Sequence, residues 1–208
     1  MGESNKHSGL TLANKITILR LMGIPVFILM LVYYEMGLRE GQATELYRAA
    51  ALAVFVAVAL TDALDGYVAR TRGEVTHLGK ILDPLADKSL LLSGLILLTR
   101  PSMPSIAPHI PVWFALLVIS RDVVLILGSV LIHTVVGHIE VTPRIPGKAA
   151  TFFQMVAVTW VLAGWPVKSF MAVVAAAGIF TFVSWVQYVI DGTRQLEKAP
   201  THHHGPTS

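Results

Sequence analysis

The sequence predicts an all-α integral membrane protein with six transmembrane helices preceded by a short interfacial amphipathic helix. Of its 208 residues, 54% are hydrophobic and only 14% are charged, whereas soluble domains carry about 25% charged residues. Six apolar runs are each close to the ~20 residues that a helix needs to cross the hydrocarbon core. We place the spans at residues 21–38, 46–70, 80–99, 111–135, 148–165 and 169–191.

The segment before the first span has a different pattern. Leu12, Ile16 and Leu19 recur at helical spacing with polar and basic residues between them, which is typical of a helix lying in the membrane interface. We expect residues 1–9 to be disordered, residues 10–194 to form one membrane domain, and residues 195–208 to form a disordered tail.

Basic residues between the spans predict the orientation. Most Lys and Arg residues fall at the two termini, in the 71–79 loop and before the fifth span, so we expect both termini and that loop to face the cytoplasm. The inner membrane of a bacterium is the expected location. A net charge of +3 is too small to indicate a nucleic-acid partner. Cysteine is absent, which excludes disulfides and thiolate nucleophiles.

Four aspartates interrupt the second and third spans. An aspartate at the centre of a membrane helix costs roughly 2.5–3.5 kcal/mol on insertion scales, so four of them require compensation. Residues three and four apart share a helical face, and the spacing therefore predicts one stripe on each span. The first stripe contains Asp62, Asp65, Gly66, Ala69 and Arg70, and the second contains Gly79, Asp83 and Asp87.

The two stripes predict a site for divalent metal. Their connecting loop is short enough to make the helices antiparallel neighbours, so the stripes can face each other. Carboxylate oxygens suit Mg²⁺ or Mn²⁺, and two such ions would balance four aspartates and could promote phosphoryl transfer. Gly66, Ala69 and Gly79 leave room for a flat ligand, and Arg70 can bind phosphate. The alternative is a network of ion pairs with Arg70, Arg72, Lys80 and Lys88.

The complete pattern Asp62-x2-Asp65-Gly66-x2-Ala69-Arg70-x8-Gly79-x3-Asp83-x3-Asp87 resembles the signature of the CDP-alcohol phosphotransferase family at every fixed position. The resemblance extends to the length and the six-span layout. It implies transfer of a substituted phosphate from a CDP-activated lipid to an alcohol, with release of CMP, and it suggests a homodimer.

The resemblance also implies roles for the motif residues. Asp62, Asp65, Asp83 and Asp87 would bind two divalent ions, and Asp87 would be the general base that deprotonates the acceptor hydroxyl. Gly66, Ala69 and Gly79 would pack against cytidine, and Arg70 would contact the donor phosphates. Asn14, Thr17 and Arg20 share a helical face and could cap the nucleotide, although anchoring to lipid headgroups is the equal alternative.

The lead-in residues Asn14, Thr17 and Arg20 with Pro25, and the LDPLADK segment at 82–88, look like the branch of phosphatidylglycerophosphate and cardiolipin synthases. In that branch the donor is CDP-diacylglycerol. The acceptor is glycerol 3-phosphate or phosphatidylglycerol. We expect glycerol 3-phosphate, but the ISRD segment at 119–122 is similar to cardiolipin synthases.

Both acceptors carry phosphate, which requires a second basic cluster. Arg121, inside the fourth span, and Arg144 with Lys148, before the fifth, are our candidates, because a buried arginine in a span is a functional residue by default. Alternatively, Arg121 pairs with Asp122 or with the motif carboxylates, and Arg144 and Lys148 are a positive flank of the membrane. A divalent-cation carrier that uses the same aspartates is the alternative outside the enzymes.

Overall fold

The computed structural model describes residues 12–42, 44–72, 77–100, 106, 108–136 and 145–197, with side chains in 21–42, 44–61, 88–100, 106, 108–128, 130, 134 and 145–194. The described residues form six α-helices and no strand. The helices are α1 (Leu12–Arg39), α2 (Glu45–Arg72), α3 (His77–Thr99), α4 (Val112–Val136), α5 (Ile145–Ala163) and α6 (Val167–Glu197). The predicted disordered N-terminus and most of the predicted tail lie outside the described residues.

Each predicted span falls on one of these helices. Three described segments are long and apolar enough to cross a membrane, namely Leu21–Arg39, Ile145–Ala163 and Val167–Arg194. Exposed side chains on α4 are also apolar, since Leu116, Ile126 and Leu127 are 62–64% exposed. A continuous apolar exterior is what lipid surroundings require. The chain is therefore an all-helical integral membrane protein.

The lead-in does not form a separate helix. Residues 12–20 continue without interruption into the first span, and the single helix α1 even includes Pro25. Proline removes one backbone hydrogen bond, but a helix in a membrane tolerates this where neighbouring groups satisfy the freed carbonyl. The position of residues 12–20 at the membrane interface stays a prediction.

The chain divides into two compact units. The first contains Met1–His109 and Val158–Pro166, and the second contains Ile110–Ala157 and Val167–Ser208. In the first unit α1 contacts both α2 and α3, and α2 contacts α3. Its core includes Phe27, Leu31, Phe55 and Leu95.

Side-chain contacts define the register between α1 and α2. An ideal Cβ on Gly23 would lie 2.7 Å from Val58 Cγ2, the Phe27 and Phe55 ring centroids are 5.5 Å apart, and the Tyr34 hydroxyl donates to Glu45 Oε1 at 3.1 Å. Residues further along α1 thus contact residues earlier in α2. These two helices are therefore antiparallel.

Two helices end in the same glycine turn. Gly41 and Gly164 have φ values of +69° and +66°, in the left-handed region that glycine adopts without steric cost. The following N–H groups reach back into the helices, Gln42 to the Gly37 carbonyl at 2.8 Å and Trp165 to the Trp160 carbonyl at 3.2 Å. This is the Schellman arrangement that satisfies carbonyls at a helix C-terminus.

In the second unit α4 and α6 run parallel. The Gly178 Cβ position lies 3.3 Å from the Trp113 ring, and ten residues further along α6 the Tyr188 hydroxyl donates to the Leu125 carbonyl at 3.0 Å. The early part of α5 is antiparallel to α6. There Phe153 stacks on Phe180 with ring centroids 5.4 Å apart.

Candidate active site

The motif aspartates occupy matching heights on α2 and α3. These helices contact each other and are separated only by residues 73–76, which favours an antiparallel pair. At 1.5 Å per residue, Asp62 lies about 15 Å before the end of α2 and Asp87 about 15 Å after the start of α3. Asp65 and Asp83 lie about 10 Å from the same two ends. The backbone therefore places the four aspartates in two layers, with one from each helix in each layer.

The other motif residues lie nearer than the aspartates to the loop between α2 and α3, or at the height of the second aspartate layer. By the same count from the helix ends, Arg70 of α2 matches Gly79 of α3, and Gly66 matches Asp83. Ala69 lies between these two levels on α2. The donor-binding residues predicted from the motif thus occupy helix positions next to the aspartate layers.

The start of α1 reaches the same height. When the α1–α2 register is continued, Arg20 comes to about the level of Asp62, and Thr17 to about the level of Asp65. On α3, Gly94 lies against Phe27, with its Cβ position 3.4 Å from the ring. Asn14 lies one further turn along α1, between the levels of Gly66 and Ala69. The start of α1, the end of α2 and the start of α3 therefore lie at similar heights in the first unit, so the lead-in and the motif lie at the same end of it.

The side chains of residues 62–87, Asn14, Thr17 and Arg20 lie outside the described residues. Their contacts, and the stripes that the spacing predicts, stay predictions. At the edges of this region the Thr61 hydroxyl donates to the Ala57 carbonyl at 2.7 Å, and Lys88 is half-buried. Among the residues whose side chains are described, there is no cluster of three or more histidine or acidic residues that could hold a metal.

The ligand atoms that the four motif aspartates offer fit hard divalent cations. Four carboxylates on two contacting helices, at two heights about 5 Å apart, offer only oxygen ligands. Mg²⁺ and Mn²⁺ prefer oxygen donors of this kind. The chain has no cysteine, so no competing thiolate is available.

Arg121 lies in the second unit and is buried. Its side chain is 9% exposed, and Nη1 donates to Asp122 Oδ1 at 2.8 Å. The pairing with Asp122, expected as an alternative to phosphate binding, is therefore present. A second donor, Nη2, reaches Ser184 Oγ of α6 at 3.1 Å, which links α4 to α6.

The two other predicted acceptor residues differ in position. Lys148 is exposed in the first turn of α5, one residue after a glycine that packs on Arg121. An ideal Cβ on Gly147 would lie 3.3 Å from both Arg121 Nη2 and Ser184 Oγ. The start of α5 therefore lies against Arg121. Arg144 lies outside the described residues.

Sequence reasoning missed Ser184 and Gly147. Ser184 is a single hydroxyl in an apolar run, and Gly147 follows Pro146 at a helix start, where neither residue is unusual. The only signal in the sequence was a glycine at the start of the fifth span and a serine in the sixth, at about the same predicted depth as Arg121. That signal does not identify a partner 63 residues away along the chain.

The chain is similar to known proteins over most of its length. A family model described as CDP-alcohol phosphatidyltransferase matches residues 10–189. A Mycobacterium tuberculosis protein named "Probable phosphatidylglycerophosphate synthase" is 34% identical over 189 residues, which cover 89% of this chain and 83% of the relative. A Bacillus subtilis protein named "CDP-diacylglycerol--glycerol-3-phosphate 3-phosphatidyltransferase" is 35% identical over 154 residues, covering 73% and 76%.

A third relative carries a different name. A Streptomyces coelicolor protein named "Cardiolipin synthase (CMP-forming)" is 32% identical over 201 residues, which cover 91% of this chain and 86% of the relative. Relatives named for two different lipid products thus each match more than two thirds of this chain. The family-model match and the identity with these relatives lead to one conclusion: the chain is an enzyme and belongs to the CDP-alcohol phosphatidyltransferase family.

Proposed function

We propose that the protein transfers a phosphatidyl group from CDP-diacylglycerol to glycerol 3-phosphate, forming phosphatidylglycerophosphate and CMP. The observation that carries the chemistry is the pair of aspartate layers on α2 and α3. Relatives named for this reaction, among them those of Bacillus subtilis and Escherichia coli, support the choice of acceptor. A carrier function has no support of this kind.

In this mechanism the chain's own residues bind and orient both substrates. Asp62, Asp65, Asp83 and Asp87 would hold two Mg²⁺ or Mn²⁺ ions, which would supply positive charge next to the phosphates that react. A carboxylate oxygen of Asp87 takes the proton of the acceptor hydroxyl. The deprotonated oxygen then forms a bond to the lipid-bearing phosphorus, and the bond from that phosphorus to the oxygen of CMP breaks.

The donor nucleotide occupies the layer next to these aspartates. Gly66, Ala69 and Gly79 lack bulky side chains and allow cytidine to approach the helices. Arg70 binds the donor phosphates bidentately. Asn14, Thr17 and Arg20 cap the nucleotide from α1, because the register of the first unit brings them to the same height.

The acceptor's phosphate binds at Arg121, with Arg144 and Lys148 adding positive charge. The Asp122 carboxylate offsets the charge of Arg121, but of the guanidinium nitrogens only Nη1 donates a hydrogen bond to it. The guanidinium has five N–H donors, so others remain for phosphate. The start of α5 lies next to Arg121, and Lys148 is in the first turn of that helix.

We further propose the location of the protein and its assembly. Six spans would place both termini and the active site on the cytoplasmic side of a bacterial inner membrane, with residues 12–20 in the interface. The excess of Lys and Arg on that side supports this orientation. The active enzyme would be a homodimer in a lipid membrane.

Cardiolipin synthesis from phosphatidylglycerol is the second candidate. The ISRD segment at 119–122 and the similarity to the Streptomyces coelicolor cardiolipin synthase favour it. Both acceptors present a phosphate and a free hydroxyl, so the same residues could serve either reaction.

The test is the acceptor profile. Purified protein is supplied with CDP-diacylglycerol, Mg²⁺ and one acceptor at a time, and release of CMP is measured. We expect release with glycerol 3-phosphate and none after chelation of divalent ions, with recovery on adding Mg²⁺. Release with phosphatidylglycerol alone would favour cardiolipin synthesis. Release with neither, but with serine or inositol phosphate, would contradict both candidates.

A further inference from the structure

Arg121 has an unused donor in a buried position. Its side chain is 9% exposed, Nη1 and Nη2 have acceptors, and Nε has none within the part of the chain whose side chains are described. A buried N–H without an acceptor costs about 1–3 kcal/mol. Such a donor is available to a ligand that carries an acceptor.

The Ser184 hydroxyl contacts the same guanidinium, and its proton is not donated to any described residue. Its Oγ accepts from Arg121 Nη2 at 3.1 Å. The described region offers no acceptor for the hydroxyl proton itself. Other described hydroxyls, such as Thr181 of α6 and Ser93 of α3, instead donate to a carbonyl of their own helix at 2.6 Å. The Ser184 proton therefore remains available next to the unused Nε–H.

The start of α5 completes the surroundings of these two donors. The Gly147 Cβ position lies 3.3 Å from Ser184 Oγ and from Arg121 Nη2, so the first turn of a 19-residue helix approaches both groups. The first four N–H groups of a helix lack partners within the helix and carry partial positive charge. This turn therefore adds partial positive charge next to Arg121 and Ser184.

We propose that Ser184 is an acceptor-binding residue, which orients the Arg121 guanidinium and donates its own proton to the acceptor's phosphate. Gly147 is the matching small residue that lets α5 approach. This inference rests on the proposed function, because it assigns the phosphate to the acceptor. No bond is made or broken at Ser184, whose role is to bind one substrate and not the other.

The test separates the two substrates. For Ser184→Ala we expect the KM for glycerol 3-phosphate to rise about tenfold, the effect of one charge-assisted hydrogen bond, with the KM for CDP-diacylglycerol within about twofold. Ser184→Thr retains the hydroxyl and should restore the acceptor KM. Inorganic phosphate, used as a competitive inhibitor against glycerol 3-phosphate, should lose affinity by a similar factor in Ser184→Ala.

The matched control is Ser93→Ala, which removes a half-buried hydroxyl that donates only to its own helix. It should change neither KM. If Ser184→Ala does not fold, Gly147→Ala is the second variant, because its methyl group would lie 3.3 Å from Arg121 Nη2 and Ser184 Oγ and would push both atoms away by a few tenths of an ångström; it should raise the KM for glycerol 3-phosphate and leave the KM for CDP-diacylglycerol unchanged. An unchanged acceptor KM, equal changes in both KM values, or unchanged inhibition by phosphate overturns the inference. Failure of the proposed function appears separately, as wild-type protein that releases no CMP with glycerol 3-phosphate.

Discussion

At the residue scale, the buried pair of Arg121 and Asp122 and the four motif aspartates each have a partner or a proposed ligand for their charge. Arg121 and Asp122 neutralise each other at 2.8 Å inside the second unit. The basic residues nearest the motif aspartates in the sequence are Arg70, Arg72, Lys80 and Lys88, which are the alternative partners for these carboxylates. Divalent ions would compensate all four aspartates at one site, and they are the compensation that we propose.

Asp87→Asn tests the proposed base. The amide cannot take the proton of the acceptor hydroxyl, so we expect kcat for CMP release to fall by about 10²–10⁴-fold. Thermal unfolding of the purified protein should change little, since four crowded carboxylates become three. Glu40→Gln, an exposed carboxylate in the turn after α1, is the control and should retain wild-type kcat. Retention of full activity by Asp87→Asn would contradict the assignment.

Asp122→Asn tests the buried ion pair. Removal of one partner leaves the Arg121 charge buried, which costs about 3–5 kcal/mol in the free energy of unfolding. The measurement is chemical or thermal unfolding in detergent.

The control for this pair is Glu45→Gln. Glu45 pairs with Arg48 at 2.7 Å, but its side chain is 65% exposed, and such pairs contribute about 0–1 kcal/mol. Similar losses in both variants would show that burial of the Arg121 pair has no energetic weight.

At the element scale, helix existence was predictable and helix contacts were not. Apolar runs near ~20 residues long identify spans directly, and all six fall on helices. The continuity of α1 through residues 12–39 was not predicted, because a change from amphipathic to apolar pattern does not by itself end a helix. The heights of the four aspartates along α2 and α3 follow from the helix ends and the short loop between them, whereas the contacts of their side chains stay a prediction. The contacts of Arg121 with Ser184 and Gly147 depend on how three helices pack, which local pattern does not encode.

Gly23→Ala tests the α1–α2 register on which the donor layer depends. The new Cβ would lie 2.7 Å from Val58 Cγ2, and overpacking of this kind costs about 1–3 kcal/mol in the free energy of unfolding. Val58→Ala in the same chain removes the clash and should recover most of that loss.

The double-mutant cycle measures this directly. We expect a coupling of at least about 1 kcal/mol between the two substitutions, because they share one contact. Additive effects would mean that Gly23 and Val58 do not touch, and the height of Arg20 relative to Asp62 would then have to be reconsidered.

At the scale of the whole molecule, composition decided the fold class and similarity decided the family. An exterior rich in valine, leucine and isoleucine is stable in lipid and would aggregate in water. Two units divide the helices, with the motif in the first and Arg121 in the second.

Single cysteines test the proposed orientation. The chain has no cysteine of its own, so each substitution gives an unambiguous label. In intact cells, a membrane-impermeant maleimide should label Gln42→Cys, in the loop after α1, and should not label Thr201→Cys in the predicted tail. Permeabilised cells should label both. The reverse pattern in intact cells would place the motif on the opposite face of the membrane.

The most direct test of the central claim follows the oxygen of the acceptor hydroxyl. Purified protein is given CDP-diacylglycerol, Mg²⁺ and glycerol 3-phosphate with heavy oxygen in its primary hydroxyl, and the products are analysed by mass spectrometry. We expect the label to enter the lipid as phosphatidylglycerophosphate, with unlabelled CMP formed in equal amount. CMP formed without a labelled lipid product would contradict this expectation.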